Sequence, residues 1–203
     1  MDCVMGIVGD GFTLLAADSI AARSIMVFKN DEDKIYEIDQ HKALAAAGDV
    51  GDRNHFCEYV IKNIHLYQLR TDISLSTHAV AKWTRNQMAQ SLRKHPYQVN
   101  LLIGGWDKNA GPELYFMDYL GSMHKLPFGV HGHGSNFTLS IMDKEYKPGM
   151  SLDEAIGLLK KCIKELGVRF LINYQNWIVK VIDADGTRVI NLGDDEPATV
   201  EEC

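Results

Sequence analysis

Residues 1–11, MDCVMGIVGDG, set a strand almost at the first residue of the chain. Cys3, Met5 and Ile7 alternate with Val4, Gly6 and Val8, the two-residue period of extended backbone, and Asp10-Gly11 is the dipeptide of a tight hairpin. Chain ends fray unless something ties them down. A strand that starts at residue 2 therefore implies a terminus held in one place, and the rest of the sequence has to say for what.

Working outward, FTLLAADS supplies the return strand, and IMVFK, KIYEI and KALAAAG read as three more short strands before any helix. From Asp49 the period lengthens: Phe56, Val60, Ile64 and Tyr67 lie at helical spacing, with Asp49 or Asp52 placed to cap the first turn. A second helix with Ser76 as its cap carries Ala81, Arg85, Met88 and Leu92, and His95-Pro96 is expected to end it. Strands return in YQVNLLIGGW and ELYFMDYLG. The segment SMHKLPFGVHGHGS then reads as a glycine-rich approach to a helix near Ser135. Ser151 to Glu154 form a capping box, and Ala155, Leu159, Cys162 and Leu166 make the apolar stripe of the last helix. NWIVKVIDADGTRVI closes the order as a hairpin turning at Asp185-Gly186. Strand block, helix pair, strand block, helix pair and hairpin is an α+β order, not the alternation of a doubly wound parallel sheet. Two face-to-face sheets, each covered by a helix pair, would bury every stripe. No repeat or linker divides residues 1–203, which are expected to form one domain, with the acidic end at 193–203 a mobile tail or an arm to a neighbour.

Composition narrows the function. The chain has 203 residues, 46% of them hydrophobic, enough for one substantial core. The 21 basic and 27 acidic residues give a net charge of -6, which offers no electrostatic basis for nucleic-acid binding and directs attention to protein or peptide partners. No apolar run approaches a membrane span, and Asp2 stands where a secretory signal carries basic residues. Cys3, Cys57, Cys162 and Cys203 lack both metal-binding spacing and disulfide-scaffold density, which favours reduced thiols in cytoplasm or nucleus.

The segments LLAADSIAARS, the lysine of NDEDKIYEI, AAAGDVGD, YQVNLLIGGWD, ELYFMDYLG and GHGSNFTLSIMD resemble, in order and spacing, the beta subunits of the 20S proteasome. GDVGDRNHFCEYVIKNIHLYQLR and PYQVNLLIGGWDKNAGPELYFMDYLG look most like the fourth beta position of the eukaryotic ring, one that does not cleave peptides. The resemblance implies a four-layer αββα sandwich, the N-terminal nucleophile hydrolase fold. It also gives the held terminus a purpose, because catalytic members expose a threonine at the start of the first strand, whose hydroxyl attacks and whose amine serves as base. Matched position by position, the family aspartate falls on Asp18, the lysine on Lys34 and the oxyanion-binding glycine on Gly48. The threonine falls on Asp2, a poor nucleophile for an amide and without a free α-amine. The serine of the family's GSG motif falls on His133, and the later aspartate and Ser-Gly-Gly fall in FLINYQN, where none occurs. The strand is expected to lack a preceding segment to be removed, and Met1 is expected to be retained.

The resemblance thus implies a non-catalytic subunit with vestigial Asp2, Asp18, Lys34, Gly48 and His133. It would complete the beta ring between the third and fifth positions, contact the alpha ring and the opposite beta ring, and support ATP- and ubiquitin-dependent degradation by catalytic neighbours. It implies no cofactor and no metal. Competing classes are a threonine or cysteine peptidase acting alone and an isolated hydrolase of small amides. Cys3 is the obvious substitute nucleophile, but successive strand residues point to opposite faces, so it should face away from Lys34. Gly6, Gly9 and Gly11 do not fit GxGxxG. His131 and His133 lack further ligands at zinc spacing. Asp107 and Asp118 border strand ends where acidic turn residues are ordinary, and Trp83, Trp106 and Trp177 read as core or interface aromatics.

Overall fold

The computed structural model describes residues 2–23, 26–170 and 176–192. Its first sheet has the strand order β10-β1-β2-β11-β12, built from β1 (Cys3–Val8), β2 (Thr13–Asp18), β10 (Phe128–Gly132), β11 (Trp177–Asp183) and β12 (Gly186–Ile190). The second runs β5-β6-β7-β8-β9: β5 (Ile35–Asp39), β6 (Lys42–Gly48), β7 (Val99–Asp107), β8 (Gly111–Met117) and β9 (Met123–Lys125). All the strand pairs in these sheets are antiparallel. A separate ribbon pairs β3 (Ala21–Arg23) with β4 (Met26–Lys29).

Three buried clusters define the layers. Cys3, Met5, Ile7, Leu14 and Val179 pack under Leu158, Leu159, Cys162 and Leu166, so α3 (Ser135–Glu145) and α4 (Leu152–Arg169) cover the first sheet. Leu44, Ala46, Leu101 and Ile103 pack under Phe56, Val60, Val80 and Met88, so α1 (Val50–Thr71) and α2 (Thr77–Ser91) cover the second. Between the sheets lie Val4, Leu15, Ala17, Ala43, Ala45, Ala47, Leu102 and Leu114. β6 shows how the sequence selects this arrangement: its alanines at 43, 45 and 47 turn to the sheet interface while Leu44 and Ala46 turn to the helices, as period-two backbone requires. The result is the αββα sandwich expected from the block order.

The expected caps are in place. Asp49 accepts from the amides of Gly51 and Asp52, Ser76 from Ala79, and Ser151 and Glu154 form a reciprocal capping box. The differences are instructive. The segment expected as a mere approach to α3 holds β9 and β10, and β10 pairs Val130 with Met5 at the edge of the first sheet. The three-residue β3 was also missed. α2 ends at Ser91, before His95-Pro96, because Leu92–Lys94 continue as a turn. On these helices Tyr67 and Arg85 are exposed, and the buried face of α2 runs through Thr77, Val80, Ala81, Thr84 and Met88 instead. The tail at 193–203 lies outside the described residues. Among those described, no helix is long and apolar enough to cross a membrane.

Candidate functional site: a carboxylate held among buried charges

The start of β1 is tied down by its own backbone. The Cys3 amide donates to Asp18 Oδ1 at 2.8 Å, and Asp18 ends β2 directly beside it. On the other side, β10 closes against the same residues. Gly132 has φ +91, and a side chain there would overlap the Asp2 carbonyl oxygen, so the first glycine of GHG makes room for the terminus.

Asp2 then turns its carboxylate into a set of donors from three elements. Oδ1 accepts from Lys34 Nζ at 2.7 Å; Oδ2 accepts from the Gly48 amide at 3.0 Å and from Arg53 Nη1 at 3.0 Å. Lys34 sits just before β5, Gly48 ends β6 and Arg53 lies in the first turn of α1. Gly48 has φ +144, and a side chain there would meet the Gln98 carbonyl, so glycine is required where this amide must face the terminus. Lys34 is fully buried and uses all three of its protons, on Asp2, on Asp18 Oδ2 at 2.7 Å and on the Ile20 carbonyl at 2.8 Å. Behind Arg53, Glu32 Oε1 accepts from Nη2 at 2.7 Å, and Lys29 lies 3.0 Å from the other Glu32 oxygen.

These contacts separate the two aspartates. Burial opposes the charge of Asp2, but Lys34, the Gly48 amide and Arg53 outweigh it and hold its pKa below the ordinary 3.8. At Asp18 burial prevails over the pull of Lys34 and the Cys3 amide and moves the pKa up. Cys3 belongs to the helix-facing cluster with Cys162, on the opposite face of β1 from Val4, and burial, with Asp18 next, raises its thiol pKa. A buried thiol of that kind is a poor source of thiolate.

Four of the expected positions, Asp2, Asp18, Lys34 and Gly48, therefore form one connected network. His133 does not join it: it is exposed, with its ring 6.4 Å from that of Phe170. The later relay positions expected in FLINYQN fall largely at 171–175, outside the described residues. Arg53 and Glu32 were missed. An arginine in a first helical turn ordinarily reads as solvated, but the signal was present: Arg53, Phe56, Cys57, Val60 and Ile64 share one helical stripe, and all are buried.

Elsewhere, Asp107 accepts from the first amide of α2, and Asp118 accepts from Leu120 and Ser122 in a turn. His131 is buried between the sheets, stacked on Phe116 with Nε2 3.1 Å from the Leu101 carbonyl. These are structural positions.

Chemically, the donors gathered at this site are already engaged. The lysine has no free proton donor, the Gly48 amide already faces an anion, and the group in the attacking position is a carboxylate neutralised by two cations.

The model of the proteasome subunit family matches residues 2–182. The chain is 49% identical over 188 residues to "Proteasome subunit beta type-2" of Oryza sativa subsp. japonica, covering 93% of this chain and 89% of that protein. It is 44% identical over 193 residues to "Proteasome subunit beta type-2" of Dictyostelium discoideum, covering 94% and 97%. It is 41% identical over 193 residues to "Proteasome subunit beta type-4" of Saccharomyces cerevisiae, covering 94% and 98%. With the sandwich and the residues at the head of β1 in agreement, this chain belongs to the proteasome subunit family, as a beta-type member.

Proposed function

We propose that this beta subunit is non-catalytic: it completes the ring and walls the chamber in which neighbouring subunits cleave peptides. The observation that carries this reading is the Asp2 carboxylate, bonded at once to Lys34, the Gly48 amide and Arg53. A carboxylate in that setting is a weak nucleophile toward an amide, and the donors that would stabilise an oxyanion are already satisfied by a permanent anion. The subunit takes the fourth beta position, with the third and fifth as lateral neighbours and the alpha ring and opposite beta ring above and below. It works in cytoplasm and nucleus, in ATP- and ubiquitin-dependent protein degradation. Exposed apolar side chains on several elements, among them Phe28, Leu69, Ile73 and Val168, suit a chain that is buried in an assembly.

The test uses particles in which every other nucleophile is inactivated. Peptide hydrolysis and labelling of this chain by threonine- and cysteine-directed electrophiles should both stay at background; turnover with label on this subunit would sink the reading. Cross-linking of the intact particle reads the neighbours, and a pattern that sets this chain beside subunits other than the third and fifth would overturn the assigned position.

A further inference from the structure

Seven charged groups are chained together at the head of β1: Lys29, Lys34 and Arg53 against Asp2, Asp18, Asp31 and Glu32. Lys34 and Arg53 are each held from behind, by Asp18 and the Ile20 carbonyl and by Glu32 respectively, so neither depends on Asp2 for its position. Arg53 is almost completely buried and, among the described residues, its Nε has no hydrogen-bond partner. The site nevertheless borders solvent, since Gly48 and Asp49 are exposed and the Asp2 side chain is 8% accessible. Three donors aimed at one planar anion, fixed before it arrives and reachable from water, are the elements of a ligand site.

We propose that Lys34 Nζ, the Gly48 amide and Arg53 Nη1 form a carboxylate receptor that the chain occupies with its own Asp2 side chain. With that side chain removed, the receptor takes a small planar carboxylate from solution. Formate and acetate match the excised group in shape and charge; chloride lacks the paired oxygens that let Lys34 and Arg53 be met together. The proposal rests on the site being a closed anion site and not a reaction centre, but its outcome is read without any catalytic assay. Hydrolysis by the wild-type subunit would overturn the functional reading whatever the receptor does.

The experiment follows hydrogen exchange of the Gly48 amide, by fragmentation mass spectrometry, in assembled particles carrying Asp2→Ala. Exchange should be at least about tenfold faster than in wild type, because the amide has lost its acceptor. Millimolar formate should restore most of the protection, and formamide, which has similar shape and no charge, should not. In Asp2→Ala/Arg53→Met the formate effect should disappear. Protection restored equally by formamide or chloride overturns the proposal, as does formate without effect in Asp2→Ala or with undiminished effect in the double variant. Should Asp2→Ala fail to assemble in plain buffer, assembly in formate becomes the readout: recovery supports the receptor, and failure in formate as well overturns it.

Discussion

Two lysines bury their ammonium groups on either side of the same short stretch of chain, Lys34 at the head of β1 and Lys180 between the sheets. Lys34 Nζ donates to the carboxylates of Asp2 and Asp18 and to the Ile20 carbonyl; Lys180 Nζ lies within 2.9 Å of the carboxylates of Asp33 and Glu37 and of the Ile35 carbonyl. As contact inventories they are the same, two carboxylates and one carbonyl. They differ in where the carboxylates stand. Asp2 and Asp18 are 8% and 0% exposed, whereas Asp33 and Glu37 are 45% and 54% exposed. A carboxylate that loses its lysine in water simply rehydrates, so an exposed bridge is worth little. One that loses it in the interior is left as an uncompensated charge. Removing Lys34 therefore strands buried charge, whereas the Lys180 bridge is a removable tie between sheets.

The contrast is broken most severely at Lys34. Lys34→Met leaves Asp18 without its cation and Asp2 with Arg53 alone and should cost about 3–5 kcal/mol, read as failure of the variant to accumulate in particles. Combining it with Asp18→Asn in the same chain should recover part of the loss if the cost is stranded charge; no recovery would mean that packing, not electrostatics, dominates the site.

A third polar crossing, His131, sharpens the comparison because it is neutral. Burial, only partly offset by the Leu101 carbonyl, lowers its pKa from 6.5 to about 4. The folded chain therefore resists a proton that the unfolded chain accepts, so stability should fall as pH drops from about 6.5 toward 4, by up to about 3 kcal/mol. His131→Phe should flatten unfolding midpoints across that window. An unchanged pH profile would move the responsible group elsewhere.

Lys180→Met should cost only about 1 kcal/mol, mainly the Ile35 carbonyl left without its donor. A loss equal to that of Lys34→Met would erase the distinction drawn between the two ends. The smallest effect is expected in acid. Asp2, with its pKa lowered, contributes stability above pH 3.8 that is lost as pH falls through its folded value. Asp18, with its pKa raised, has the opposite sign: the folded chain binds its proton first as pH falls toward 3.8. The two partly cancel, and Asp2→Asn should remove the acid-labile component alone.

What could be read from the chain divides along the same line. Strands, helices and caps are local: Asp10-Gly11 turns at φ +77, and Asp49, Ser76 and Ser151 cap their helices as their neighbours in sequence require. β10 was invisible because FGVHG, with two glycines in five residues, has little strand character of its own and gains it by pairing with β1. At the site, Asp2, Asp18, Lys34 and Gly48 were identifiable through a family resemblance that fixes order and spacing. Arg53 and Glu32 belong to no such motif. Their roles arise from a helix start and a loop meeting over the head of β1, a long-range proximity that no local pattern encodes.

The central claim is that the site is closed beyond the identity of one residue. The most direct measurement is peptide hydrolysis by particles carrying Asp2→Thr, with Met1 absent by intact mass, all other nucleophiles inactivated, and a threonine-directed electrophile added in parallel. The introduced hydroxyl would meet the same Asp18, Lys34 and Gly48, but His133 lies outside the network and FLINYQN has neither the serine nor the aspartate of the relay. Lost base assistance is worth about a hundred- to ten-thousand-fold, and a displacement of about 1 Å another hundredfold. The expected result is turnover at background with at most trace labelling. Robust turnover with label on this chain would show that only the nucleophile was missing and would contradict the account.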